Sequence, residues 1–196
     1  GTTSSWSPWI SRTGGRVTVA PSRSGSSNRP EIATTGVSHP EPPPDCRICP
    51  RLVDYREESA RAEPLWFNGA VPSFGDAGAR LLIVGLAPGL KGANRTGRPF
   101  TGDYAGDLLY ATLIEFGFAR GTYMAHPTDG LVLTDCMITN AVRCVPPGNK
   151  PTPEEIRACR PFLVARLAAL PRLTAILALG RVAHDQSLAA LGAART

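Results

Sequence analysis

Four of the five cysteines fall into a pattern that suits a metal centre. Cys46 and Cys49 form a Cys-x-x-Cys pair, Cys144 follows an apolar run, and Cys159 lies in a later helical segment. Two residues between thiolates let both face one centre, and a second pair brought in by folding completes four soft ligands. A zinc ribbon usually supplies its second pair as another tight Cys-x-x-Cys, whereas fourteen residues separate Cys144 from Cys159. That looser spacing suits a [4Fe–4S] cube at least as well as zinc, and spacing alone leaves unrelated thiols open too. Cys136, inside the apolar run, reads as a small buried core residue.

A second chemical signal is the stretch from Gly85 to Asp103, with glycines at 85, 89, 92, 97 and 102. Its glycines permit close backbone approach, and Lys91, Arg95 and Arg98 put positive charge beside exposed amides. The spacing is neither that of a P-loop nor that of a dinucleotide fingerprint, so nucleoside-triphosphate hydrolysis has no support. Phe100 can stack on a planar ligand. Asp103, just before a helical pattern, can cap that helix or polarise a water, and the residue types favour the cap. Asn140 offers one acceptor and two donors, enough to read the edge of a base, although a strand-end Asn is commonly a turn former.

These residues need elements to position them. Arg80 to Gly85 is a short apolar run ending in Gly, the pattern of a strand buried on both faces, and open α/β sheets place ligands at the C-terminal ends of such strands. Tyr104 to Phe116 carries Leu108, Leu109, Leu113 and Phe116 at helical spacing and stops at Gly117. Leu131 to Ala141 contains a second strand. Thr152 is placed as an N-cap, with Pro153 at the first helical position and Glu155 completing a capping box, and that helix runs through Leu170. Leu173 to Leu179 is a third strand closed by Gly180, and Val182 to Leu191 a further helix. Strands alternating with helices predict an α/β domain on a mostly parallel sheet.

Composition bounds the rest. The chain has 196 residues and a net charge of +5, a length that suits one domain. No stretch approaches the ~18 apolar residues of a membrane span, and no basic-then-apolar leader opens the chain, so a soluble, intracellular protein is expected. Residues 1–44 are rich in Ser, Thr, Gly, Pro and Arg and end in Pro42-Pro43-Pro44; they read as a disordered tail in which Trp6, Trp9 and Ile10 are stray apolar residues. The folded domain is expected from Asp45 to Thr196. Four Arg against two Glu give the tail +2 and leave +3 for the domain, so any binding of a polyanion must rest on where the cations lie. The first residue is Gly rather than Met, which suggests a fragment or a processed product.

Together these residues resemble the type-b (family 5) branch of the iron–sulfur uracil-DNA glycosylases. The resemblance rests on Gly85-Leu86-Ala87-Pro88-Gly89, on Gly92 to Asp103, on Thr139-Asn140-Ala141-Val142-Arg143-Cys144, and on the four cysteines; it covers about Asp45 to Gly192. The related type-a branch has Glu after the first loop Gly, where Leu86 stands here. The resemblance implies a glycosylase-like sheet with helices on both faces, and a structural [4Fe–4S] cluster on Cys46, Cys49, Cys144 and Cys159. It also implies hydrolysis of the N-glycosidic bond of uracil, and of other deaminated bases such as hypoxanthine, in base-excision repair. A base inside a duplex must be flipped into a pocket to be reached. By this resemblance Phe100 stacks on the base, Asn140 bonds its edge, and the backbone amides near Gly85 and Leu86 receive its O2. Asp103 orients the attacking water and stabilises the cationic sugar. Lys91, Arg95, Arg98 and Arg143 are the nearest cations for DNA phosphates. A monomer with no membrane association is expected, cytoplasmic and working on the nucleoid.

One departure stands out. The family carries a His-Pro-Ser-type motif after a further strand, and this chain stops at Thr196, which leads to the expectation that a C-terminal part is missing. His184, His39 and His126 do not stand where the motif belongs. The alternative expectation is a catalytically impaired iron–sulfur relative that binds DNA without cleaving the glycosidic bond.

Overall fold

The structure, a computed structural model, describes residues 40–193. Trp6, Trp9, Ile10 and His39 lie outside the described residues. The chain enters through residues 40–49, forms helix α1 (Pro50–Ala62) and reaches a short strand β1 (Phe74–Gly75). Strand β2 (Leu81–Gly85) leads through the glycine-rich loop and the single turn α2 (Ala93–Thr96) to helix α3 (Tyr104–Glu115). A small ribbon of β3 (Ala119–Arg120) and β4 (Val132–Leu133) precedes strand β5 (Cys136–Asn140). Helix α4 (Pro153–Ala168), strand β6 (Ala175–Ala178) and helix α5 (Arg181–Ala190) complete the order.

The main sheet runs β1-β5-β2-β6, with β5 and β6 both parallel to β2 and only β1 antiparallel. Alternation along the strands divides the core into two layers. Leu82, Val84 and Met137 pack with Leu163, Val164 and Leu167 of α4 and Ala183 of α5. Ile83 and Ile138 face the other way, against Tyr110 and Leu113 of α3. Helices therefore cover both faces, as expected. Leu82, Ile83 and Val84 are completely buried, each worth about 1.5–3 kcal/mol relative to exposure. The connection after β2 goes to one face and that after β5 to the other, which opens a crevice at the C-terminal ends of these neighbouring strands.

Several expectations change in detail. The strand expected across Leu131 to Ala141 is two strands, broken where Asp135 takes a φ of 55°. The third strand, β6, lies at the sheet edge with Ala175 and Leu177 exposed. The start of α4 follows its sequence signature: Thr152 Oγ1 accepts from the Glu155 N–H at 3.3 Å, and Glu155 Oε2 accepts from the Thr152 N–H at 2.8 Å. Residues 40–44, read from sequence as part of the tail, make contacts with the domain. Pro42 is buried, and Glu41 pairs with Arg143 Nη1 at 2.9 Å and with Arg166. Among the described residues no helix is long and apolar enough to cross a membrane.

Candidate active site

The crevice beyond β2 and β5 holds an open pocket of about 260 Å³, lined by Leu86, Gly89, Phe100, Asp103, Asn140 and Asn149 among others. Gly85 and Asn140 are register partners at the ends of the two strands. A Cβ on Gly85 would overlap the Asn140 Oδ1 and come within 2.6 Å of Phe100 Cζ. The absent side chain is therefore what lets the amide and the aromatic ring share one pocket floor. Asn140 is only 3% exposed. The Gly85 and Leu86 carbonyls accept from the N–H groups of Ala141 and Val142 at 2.9 and 3.0 Å, which locks the loop after β2 to the loop after β5.

Asp103 takes the capping role with one of its two oxygens. Its Oδ1 accepts from the Gly106 N–H at 2.9 Å, capping α3. Its Oδ2 faces the opposite way, and a Cβ on Gly92 would stand 2.6 Å from it. One oxygen is held by the helix start, and the other faces the glycine-rich backbone beside the pocket.

The four cations expected at DNA phosphates divide evenly. Lys91 and Arg95 are exposed, and Arg95 Nε donates to the Lys91 carbonyl at 2.8 Å. Arg98 and Arg143 are corrected to internal residues. Arg98 is buried and bonds Asp129 through both Nη atoms, at 2.8 and 2.7 Å. Arg143 is fully buried and donates to the Val71 carbonyl and the Ser73 hydroxyl besides pairing with Glu41. Guanidiniums with these partners are part of the scaffold. Their partners Glu41 and Asp129 were not singled out by sequence; ion pairs between distant positions leave no local pattern. Asn149 was also missed. It follows Pro147-Gly148 on a 3₁₀ turn with φ 56°, and that run of turn formers after Cys144 is the signal available.

Cys46, Cys49, Cys144 and Cys159 line one small cavity of about 20 Å³ with Leu52, Val142 and Phe162. They arrive from four segments: the entry strap, the N-cap of α1, the loop after β5, and α4. All are free thiols. Burial pushes the Cys144 thiol up to about 12 and Cys159 up to about 11, and it raises Cys49 as well. The Arg143 backbone N–H points at Cys159 Sγ, 3.3 Å away, a donor that favours a thiolate. Among the described residues the side chains form no group at metal-binding distances; what they share is the wall of a single apolar cavity. Cys136 is separate and buried in the sheet, with burial pushing its thiol up to about 12. His184 is exposed on α5 and His126 is exposed in the loop before β4, neither of them lining the pocket.

The mostly parallel α/β sheet thus places an aromatic, an amide and a carboxylate around one crevice at the C-terminal ends of β2 and β5. The family model described as "Uracil DNA glycosylase superfamily" matches residues 72–195, and the chain belongs to that superfamily. It is 50% identical over 153 residues to the type-5 uracil-DNA glycosylase of Thermus thermophilus, covering 75% of this chain and 69% of the relative. It is 46% identical over 159 residues to the type-5 uracil-DNA glycosylase of Mycobacterium tuberculosis, of which it spans 59%. To the type-4 uracil-DNA glycosylase of Pyrobaculum aerophilum it is 38% identical over 150 residues, spanning 62% of that protein.

Proposed function

We propose that this protein is a DNA repair glycosylase that hydrolyses the N-glycosidic bond of uracil, and of other deaminated bases, in DNA. The observation that carries the reading is the meeting of Phe100, Asn140 and Asp103 in one pocket above Gly85. A flipped base stacks on the Phe100 ring, and Asn140 reads its edge with one acceptor and two donors. Backbone amides at Gly85 and Leu86 receive negative charge that develops on the base oxygen as the bond breaks. Asp103, with Oδ1 held by the helix start, uses Oδ2 to orient water and to stabilise the oxocarbenium-like sugar. Lys91 and Arg95, exposed beside this pocket, meet the phosphates. The reading is of a monomer acting wherever DNA is accessible, with no membrane step.

Cys46, Cys49, Cys144 and Cys159 fit a [4Fe–4S] cluster, since four thiols line one apolar cavity and a backbone N–H points at one sulfur. When bound, the cluster supplies cross-linking rather than chemistry. The chain's own cysteines then join the entry strap, α1, the loop after β5 and α4.

The test is an excision assay on single- and double-stranded oligonucleotides carrying one uracil, with alkali cleavage to reveal abasic sites. Abasic product from uracil and none from thymine is expected. Uracil-selective, salt-dependent binding with no abasic product would instead mark an iron–sulfur relative that has lost catalysis.

A further inference from the structure

The pocket aromatic, Phe100, sits in an unusual backbone conformation. Its φ is 53°, a left-handed value disfavoured for a residue with a side chain and persisting only where surroundings over-determine it. Three buried groups do so. Arg98 uses Nε on Thr101 Oγ1 at 2.8 Å and both Nη atoms on Asp129. Asp129 in turn accepts from the Met124 and Leu131 N–H groups, each at 3.0 Å, so the loop before β4 is fastened to the loop before α3.

The aromatic residues complete the clamp. The Arg98 guanidinium lies 5.3 Å from the Tyr110 ring centroid and 5.7 Å from that of Tyr123, and the two rings stack at 4.6 Å. The Tyr110 hydroxyl donates to the Pro99 carbonyl at 2.7 Å. The Tyr123 hydroxyl donates to the Phe100 carbonyl and accepts from the Gly102 N–H, both at 3.3 Å. Gly106 also adjoins that carbonyl, where any Cβ would overlap it and would stand 3.1 Å from the Tyr123 hydroxyl. The peptide after Phe100 is thus packed against the start of α3 and bonded by a tyrosine from a separate loop.

We propose that Arg98, Asp129 and Tyr123 are positioning residues for base recognition, holding the Phe100 backbone in its left-handed conformation so that the ring lies against Gly85 and Asn140. The inference rests on the glycosylase reading and deepens it. It makes the loop carrying Tyr123 and Asp129, which does not line the pocket, a determinant of how tightly a planar base is held. It also accounts for a charged pair kept in the interior: a bidentate fork supplies direction that an apolar contact of the same volume does not.

The test is a double-mutant cycle between Tyr123→Phe and Phe100→Ala. The readout is binding to a single-stranded oligonucleotide carrying one 2′-fluoro-2′-deoxyuridine, which resists cleavage, against the same strand with thymidine. Tyr123→Phe keeps the ring stack and removes only the hydroxyl. It is expected to melt within a few degrees of the unmutated protein while its preference for the uracil analogue falls about fivefold. In the Phe100→Ala background the same change is expected to have less than about a twofold effect, because the two residues act as one unit. Equal losses in both backgrounds, or no loss in either, overturn the proposal. An unmutated protein that binds both strands equally overturns the glycosylase reading and the proposal with it, a result distinguishable from failure of the cycle alone.

Discussion

The candidate pocket and the thiol cavity both lie at the C-terminal end of β5 and the loop that follows it, and are built on opposite plans. The pocket's residues are held by the protein's own bonds: Asp103 by the start of α3, Phe100 by Tyr123 and Gly106, Asn140 by its register with Gly85. The cavity's residues have little such support. Its four thiols form no disulfide, only Cys159 Sγ receives a backbone N–H, from Arg143, and the surrounding wall is apolar. A site that recognises a transient substrate has to be pre-formed, since ordering it on binding would cost affinity. A site for a permanent group has no such need, because the group's binding free energy can itself be folding free energy.

Breaking this contrast starts at the cavity. Replacing Cys144 and Cys159 together with Ser is expected to cost on the order of several kcal/mol of stability and to abolish visible absorbance in anaerobically purified protein. Thermal melting and absorbance spectra check it; an unchanged melting temperature would show that the cavity needs no bound group. Next comes the pocket. Asp103→Asn keeps an N-cap side chain of nearly equal quality but removes the carboxylate. Excision is expected to fall about 10²–10³-fold with little change in melting, as measured by single-turnover kinetics. A large melting shift instead would make Asp103 a helix cap and nothing more.

How much of this was legible depended on distance along the chain. Strand β2, helix α3 and the start of α4 follow local patterns, because apolar spacing and caps act over a few residues. Helix α1 was not anticipated: among its buried residues only Leu52 is apolar, beside Arg56 and Ser59, so it carries no apolar stripe. Arg56 is buried because its Nη atoms donate to the Pro44 and Cys46 carbonyls, a bond pattern that side-chain type does not announce. Phe100, Asn140 and Asp103 were recognisable as a set through a dense motif, and they do share a pocket. Arg98 and Arg143 looked like surface cations for the opposite reason. Whether a guanidinium meets phosphate or a buried carboxylate is decided by Asp129 and Glu41, which lie far from them in sequence and are brought close only by the folded sheet.

The Arg98–Asp129 pair gives the pocket its own pH signature. The Arg98 hydrogen bonds hold the Asp129 carboxyl far below its ordinary value of 3.8, against the opposing effect of burial. A depressed folded-state value means that this stability is fully present above the unfolded value and is lost as pH falls beneath it. Unfolding free energy is therefore expected to decline as pH drops from about 5 toward 2 on account of this group. In Asp129→Asn that part of the slope should vanish, leaving a lower but flatter curve in urea titrations. A slope unchanged by the substitution would place the acid sensitivity elsewhere.

The smallest effect tests whether the cavity has any pre-formed support. Arg51 of α1 bonds both carboxylate oxygens of Glu155, at 2.8 and 2.7 Å, and this pair joins the helix that starts at Cys49 to the helix that carries Cys159. Burial raises the Glu155 carboxyl, but the Arg51 and Thr152 hydrogen bonds outweigh it and the net shift is downward. Because Arg51 is nearly half exposed, solvent screening limits the pair to about 0.5–1 kcal/mol. Glu155→Gln should cost about that much, with excision unchanged at saturating substrate, and the loss should shrink in high salt. If the same substitution instead slowed excision, the two sites would be mechanically coupled through α4, and the contrast between a self-supporting pocket and a ligand-dependent cavity would fail.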